Sequence, residues 1–115
     1  MLQKIKTMLG FASKAGKLSC GQEQVIRSVR MQKAHLVILA LDVSEASKKK
    51  IRDKCTYYEV AWIELLDRAD LSKCIGKTDK TCVAINDQGF AETILRYYEE
   101  MQSRAIEEFK GGVNR

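Results

Sequence analysis

The chain has 115 residues, 45% of them hydrophobic, and carries 20 Lys/Arg against 15 Asp/Glu for a net charge of +5. That length suits one domain able to bury most of its apolar surface, and the mixture of apolar and charged residues excludes a disordered tract. No apolar run reaches the roughly 20 residues of a membrane span, and Lys4, Lys6 and Lys14 interrupt the place of a signal-peptide core, so a cytoplasmic protein with no membrane partner is expected.

Leu2, Ile5, Met8, Leu9 and Ala12 recur at helical spacing over Met1 to Ala15, and Gly16 suits a left-handed C-cap. A short extended piece, Leu18 to Cys20, leads to a second helix opening at Gly21, with Val25, Ile26 and Val29 turned inward and Arg27 and Arg30 free to face out. Leu36 to Leu41 lacks polar alternation, the mark of a strand covered on both faces. Ser44 is a good N-cap, and the third helix reaches Tyr57 with Ala46, Ile51, Cys55 and Tyr58 as its inner stripe. Val60 to Leu65 reads as a strand, Arg68 to Cys74 as a short helix, Gly76 to Thr81 as an exposed polar loop and Cys82 to Asn86 as another strand. Asp87 caps a last helix, in which Phe90, Ile94, Tyr97, Tyr98, Met101 and Ala105 recur at three- and four-residue steps, running to about Phe109. Residues 1–109 therefore form a single layered α/β domain. Residues 110–115 have nothing to pack and are expected to be a frayed tail.

Charge is unevenly placed: residues 1–54 hold 12 Lys/Arg and 4 Asp/Glu, whereas residues 55–115 hold 8 and 11. A basic front half points to an anionic partner. Cys20, Cys55, Cys74 and Cys82 show no C-x-x-C spacing and His35 is the single histidine, so no metal site is expected and the thiols read as small buried hydrophobes. Gly76-Lys77-Thr78 ends like a phosphate-binding loop, but Leu71 stands where that loop needs its first glycine. With no distinctive carboxylate pair and His35 beside a buried strand, neither a catalytic constellation nor a cofactor is expected.

The second helix gives nucleic acid a better case. A helix start offers unpaired N–H groups and partial positive charge. Gly21 lets a backbone approach, Gln22 and Gln24 can donate and accept at a base edge, and Arg27, one turn in, can grip guanine or phosphate. Lys17 and Lys33 add charge nearby in sequence, and Lys48, Lys49 and Lys50 crowd the third helix as either a solvated face or a phosphate-facing patch.

In Gly10 to Leu18, Gly21 with Arg27, Ala34 to Asp42, Lys49 to Val60, Leu71 to Gly76 and Val83 to Ala91, the chain resembles the ribosomal-protein family of kink-turn RNA binders, of archaeal L-seven-Ae and eukaryotic L-thirty-e type. Within that family it is similar to the small bacterial members of YlxQ type, and the resemblance covers roughly residues 1–98. It implies a three-layer α/β/α sandwich around a four-stranded mixed sheet with about five helices. It also implies binding to a kink-turn, an RNA helix bent at a bulge beside tandem G·A pairs. In the family's helix-two motif an Asn, a Glu and a Lys read those pairs and nearby phosphates; here Glu23 stands for the Asn, Gln24 for the Glu and Arg27 for the Lys. The second contact loop, apolar in archaeal relatives, is here Thr78, Asp79, Lys80, Thr81 and Cys82, and Leu71-Ser72 replaces Leu-Gly.

The expected role is a non-catalytic RNA-binding protein acting as a monomer on structured RNA, ribosomal or other. Gly21, Gln22, Glu23, Gln24 and Arg27 read bases, Lys17, Lys33, Lys48, Lys49 and Lys50 contact phosphates, and Lys77, Thr78, Lys80, Thr81 and Cys82 form a second clamp. The alternative is a protein-interaction module on the same fold, meeting its partner through Tyr97, Tyr98 and the acidic Glu99, Glu100, Glu107 and Glu108. An enzyme, or the detached substrate-binding domain of an RNA-modifying enzyme, is the third option.

Overall fold

The computed structural model describes residues 1–113, with side chains through residue 105. Helices and strands follow in the order α1 (Leu2–Lys14), β1 (Leu18–Cys20), α2 (Gln22–Arg30), β2 (Leu36–Leu39), α3 (Glu45–Tyr57), β3 (Ala61–Glu64), α4 (Arg68–Cys74), β4 (Cys82–Ile85) and α5 (Gln88–Val113). The strands make one mixed sheet ordered β1-β4-β2-β3, in which β2 and β3 run parallel and β4 is antiparallel to both of its neighbours.

Strand residues alternate between the two faces of the sheet, and both faces are covered. Leu36 and Ile38 of β2 and Val83 and Ile85 of β4 pack with Ile5 and Leu9 of α1, Leu71 of α4 and Ile94 of α5. Val37, Leu39, Cys82 and Ala84 turn the other way, onto Val25 and Val29 of α2 and Ile51 and Cys55 of α3. This explains why β2 and β4 are apolar at every position. The result is the three-layer α/β/α sandwich, with α1, α4 and α5 on one side and α2 and α3 on the other.

Local chemistry sets the boundaries. Ser44 accepts from the Ser47 N–H at the start of α3, Asp67 from Asp70 at α4, and Asp87 from Phe90 at α5. β2 ends at Leu39, two residues before the expected limit; the Ala40 N–H still donates to the Thr81 carbonyl, in line with the β4 register, and that of Leu41 turns to the Leu66 carbonyl. In α3 the inner stripe differs from expectation: Ala46 is exposed, and Lys48 lies with Ile51 and Cys55 on the buried face. The helix α5 continues through Val113, past the boundary expected at Phe109; of the tail expected to fray, Asn114 and Arg115 lie outside the described residues.

Strand directions give the sheet two ends. Cys20, Leu39, Glu64 and Cys82 lie at one, together with the start of α2; Leu18, Leu36, Ala61 and Ile85 lie at the other.

Candidate nucleic-acid interface

At the first end, Gly21 turns the chain from β1 into α2 with φ +91° and ψ 157°, a backbone conformation that residues with a Cβ rarely adopt. Its N–H donates to the Cys82 carbonyl at 3.0 Å, tying the helix start to β4, and its own carbonyl accepts from the Val25 N–H at 2.9 Å. Unlike α3 and α4, α2 receives no side-chain cap. The first-turn N–H groups therefore face outward at the positive end of the helix dipole.

The loop between α4 and β4 comes down beside this start. Lys80 crosses Gly21, its Nζ 3.7 Å and its Cδ 3.8 Å from where a Cβ would stand. Ser72, buried in α4, pins the loop: its Oγ accepts from the Lys80 N–H at 2.8 Å and donates to the Lys80 carbonyl at 3.4 Å. The loop's one carboxylate, Asp79, meets the Arg68 guanidinium at 3.8 Å, and Arg68 also reaches Asp42 at 3.8 Å. Lys77 and Lys80 instead close over the edge strand β1, forming with Ser19, Cys20 and Gln24 a depression of about 290 Å³. Burial pushes the Cys20 thiol up, and the two lysine charges act against that shift.

On its other side α2 borders a groove of about 980 Å³ shared with α3, lined at the mouth by Gln22, Glu23 and Arg27. Gln24 thus faces the Lys77–Lys80 loop, while Gln22, Glu23 and Arg27 face α3.

A sequence match decides the ancestry of this arrangement: residues 3–95 fit the model of the ribosomal protein L7Ae/L30e/S12e/Gadd45 family. The chain belongs to that family. An RNA-binding protein YlxQ of Enterococcus faecium is 44% identical over 90 residues, covering 78% of this chain and 86% of the relative. The Bacillus subtilis (strain 168) protein of the same name is 41% identical over 88 residues, covering 76% and 88%. Among solved structures, a protein of unknown function from Bacillus halodurans C matches with TM-score 0.78 at 33% identity, over 81% of this chain and 94% of that one. The Giardia lamblia 15.5kD RNA binding protein matches with TM-score 0.72 over 85% and 87%, and at 14% identity shares the fold alone.

Of the residues expected at an L7Ae-type site, the structure brings Gly21, Gln24, Lys77 and Lys80 together directly and sets Gln22, Glu23 and Arg27 alongside. Thr78 is exposed in the loop, and half-buried Thr81 lends its carbonyl to the Ala40 N–H.

Two assignments need correction. Cys82 is fully buried against α2 and α3, so only its backbone serves the site, by holding Gly21. Lys48 is 8% exposed; its ammonium donates to the Leu41 carbonyl at 2.9 Å, meets Glu64 at 2.7 Å and lies 3.9 Å from Glu45, so it is committed within the protein. Lys49 is exposed and paired with Asp53 at 2.7 Å, away from the groove that Lys50 lines.

Lys17 and Lys33 stand at the opposite end of the sheet. The Lys17 carbonyl accepts from Asn86, just beyond the Leu18–Ile85 pair, and Lys33 follows the C-terminus of α2. The sequence reading missed Ser72 as the residue that pins the loop, and Lys54 and Tyr58 as groove residues. The spacing Lys50, Lys54, Tyr58 marks one helical face, but which neighbour that face meets is decided only by packing.

Proposed function

We propose that this chain is a non-catalytic RNA-binding protein that reads a kink-turn, or a similarly bent structured RNA, at the end of the sandwich where α2 begins. The observation that carries the reading is the uncapped, glycine-opened start of α2 lying directly under Lys80, with Lys77 and Gln24 beside it. Outward N–H groups, two ammonium groups that form no ion pair among the described residues and an amide side chain make a site for phosphates next to a base edge. Family membership and two relatives named as RNA-binding proteins support the same function. RNA that is sharply bent beside non-Watson–Crick pairs exposes base edges that a regular A-form helix hides.

Arg27 takes a phosphate or guanine edge one turn into α2, and Gln22 and Gln24 contact the G·A pairs. Glu23 fits as an acceptor from a base amino group, the one partner that suits a carboxylate among phosphates. The protein acts as a monomer in the cytoplasm, on ribosomal or other structured RNA; membership of a ribosomal protein family supports that setting. The protein-interaction alternative finds less support, because Tyr97 and Tyr98 pack against the α1, α4 and α5 core, while the Glu107 and Glu108 side chains lie outside the described residues.

Substitution separates the near and far cations. Arg27→Ala is expected to weaken binding of a kink-turn RNA by about 1–3 kcal/mol, while Lys33→Ala, at the far end of the sheet, changes it by less than about 0.5 kcal/mol. Equal losses in a fixed-salt titration would move the site away from the start of α2.

A further inference from the structure

We infer that the groove between α2 and α3 is a second RNA site, a track for an unpaired strand that leaves the structured element held at the start of α2. The inference rests on the chain being an RNA binder. It concerns a surface beyond the Gly21–Lys80 mouth.

The groove is basic in a way the rest of α3 is not. On the other faces of that helix Lys48 meets Glu64, Lys49 meets Asp53 and Arg52 meets Glu45. Lys50 and Lys54, which line the groove, form no ion pair among the described residues, and neither do Arg27 and Arg30 across from them. Lys50 and Lys54 are four residues apart on one helix and repel each other. In the free protein this clustering is unfavourable, and a polyanion laid along the groove removes the cost. Among the described residues Glu23 is the single carboxylate lining the groove, and it sits at the mouth end.

The floor is apolar and aromatic. Ile26, Met31 and Tyr58 line it, with Met31 51% exposed. Tyr58 also lines a second depression, of about 630 Å³, with His35, Glu59 and Tyr57, a residue 79% exposed whose ring stands edge-on to that of Tyr58 with centroids 4.8 Å apart. Tyr58 lines both hollows, so they lie next to each other from the start of α2 to the far end of α3. Cations along a path that ends in exposed aromatic faces suit a single strand, whose phosphates meet Arg30, Lys50 and Lys54 while its bases stack on Tyr57 and pack over Met31. A duplex keeps its bases stacked internally and would leave that floor unused.

The test uses the full chain and three RNAs at one salt concentration: a blunt kink-turn hairpin, the same hairpin with a short uridine extension, and the uridine strand alone. The extension is expected to tighten binding by at least about fivefold, the lower end of what one stacked base supplies. Arg30→Ala/Lys54→Ala and, separately, Tyr57→Ala should abolish that gain and leave the blunt hairpin within about twofold, all three side chains being exposed and free of ion pairs among the described residues. A protein that binds the uridine strand through these residues but ignores the kink-turn supports the track while overturning the kink-turn reading. The track is overturned if the extension adds nothing, if the variants weaken both hairpins alike, or if polyglutamate displaces the uridine strand and Tyr57→Ala has no effect.

Discussion

Among single residues, Lys48 shows how chemistry alone can mislead. In a run of three lysines it has the same sequence signature as Lys49 and Lys50, yet the helical phase fixed by Ile51 and Cys55 carries it to the sheet, where Glu64 and the Leu41 carbonyl receive its ammonium. Lys48→Met should therefore destabilise the fold by about 1–3 kcal/mol, through loss of a charged hydrogen bond and an abandoned partner. Lys49→Ala should stay within about 0.5 kcal/mol, and urea midpoints of the two variants decide the matter.

The thiols make a second residue-scale case. All four read from the sequence as small buried hydrophobes; Cys55 and Cys82 are buried, Cys20 and Cys74 only half-buried, and burial pushes the first two thiols up from 9.0 to about 11. The folded chain then keeps protons that the unfolded chain releases, so this contribution to stability is full below pH 9 and is lost as pH rises towards 11. A Cys55→Ala/Cys82→Ala chain should show a shallower fall of stability across that window than the wild type. Parallel curves would mean that the buried thiols do not carry the effect.

At the scale of elements, α4 and the loop after it were half legible. The limits of α4, Arg68–Cys74, follow from Asp67 as its cap and agree with the sequence reading. What the sequence did not disclose is the use of Ser72, whose hydroxyl meets both polar groups of the Lys80 backbone eight residues on. A contact of that kind depends on the return path of the loop, which no local propensity encodes. Ser72→Ala should loosen the loop and reduce affinity for structured RNA by about 1 kcal/mol, while changing the uridine-strand affinity little. An undiminished affinity would show that Lys80 is held over Gly21 by other means. The burial of β2 on both faces, in contrast, was readable from its unbroken apolar run, although the strand ends two residues sooner than that run does.

Across the whole molecule, the uneven charge distribution finds a structural expression that the chain order concealed. The basic first half was expected to act together, but Lys17 and Lys33 end up at the far end of the sheet, whereas Lys77 and Lys80, from the acidic second half, join the start of α2. Topology brings them there, because β4 runs antiparallel beside β1 and begins where β1 ends. Sequence separation was therefore a poor guide to which cations share a surface.

The measurement that bears most directly on this account is a titration of the full chain, at one fixed salt concentration, against a minimal kink-turn RNA and a matched duplex whose tandem G·A pairs are replaced. The account predicts preference for the kink-turn of at least about tenfold, as expected when base edges and not only phosphates are read. Equal affinity for the two RNAs, falling together as salt is raised, would contradict it and reduce the start of α2 to a source of unspecific attraction.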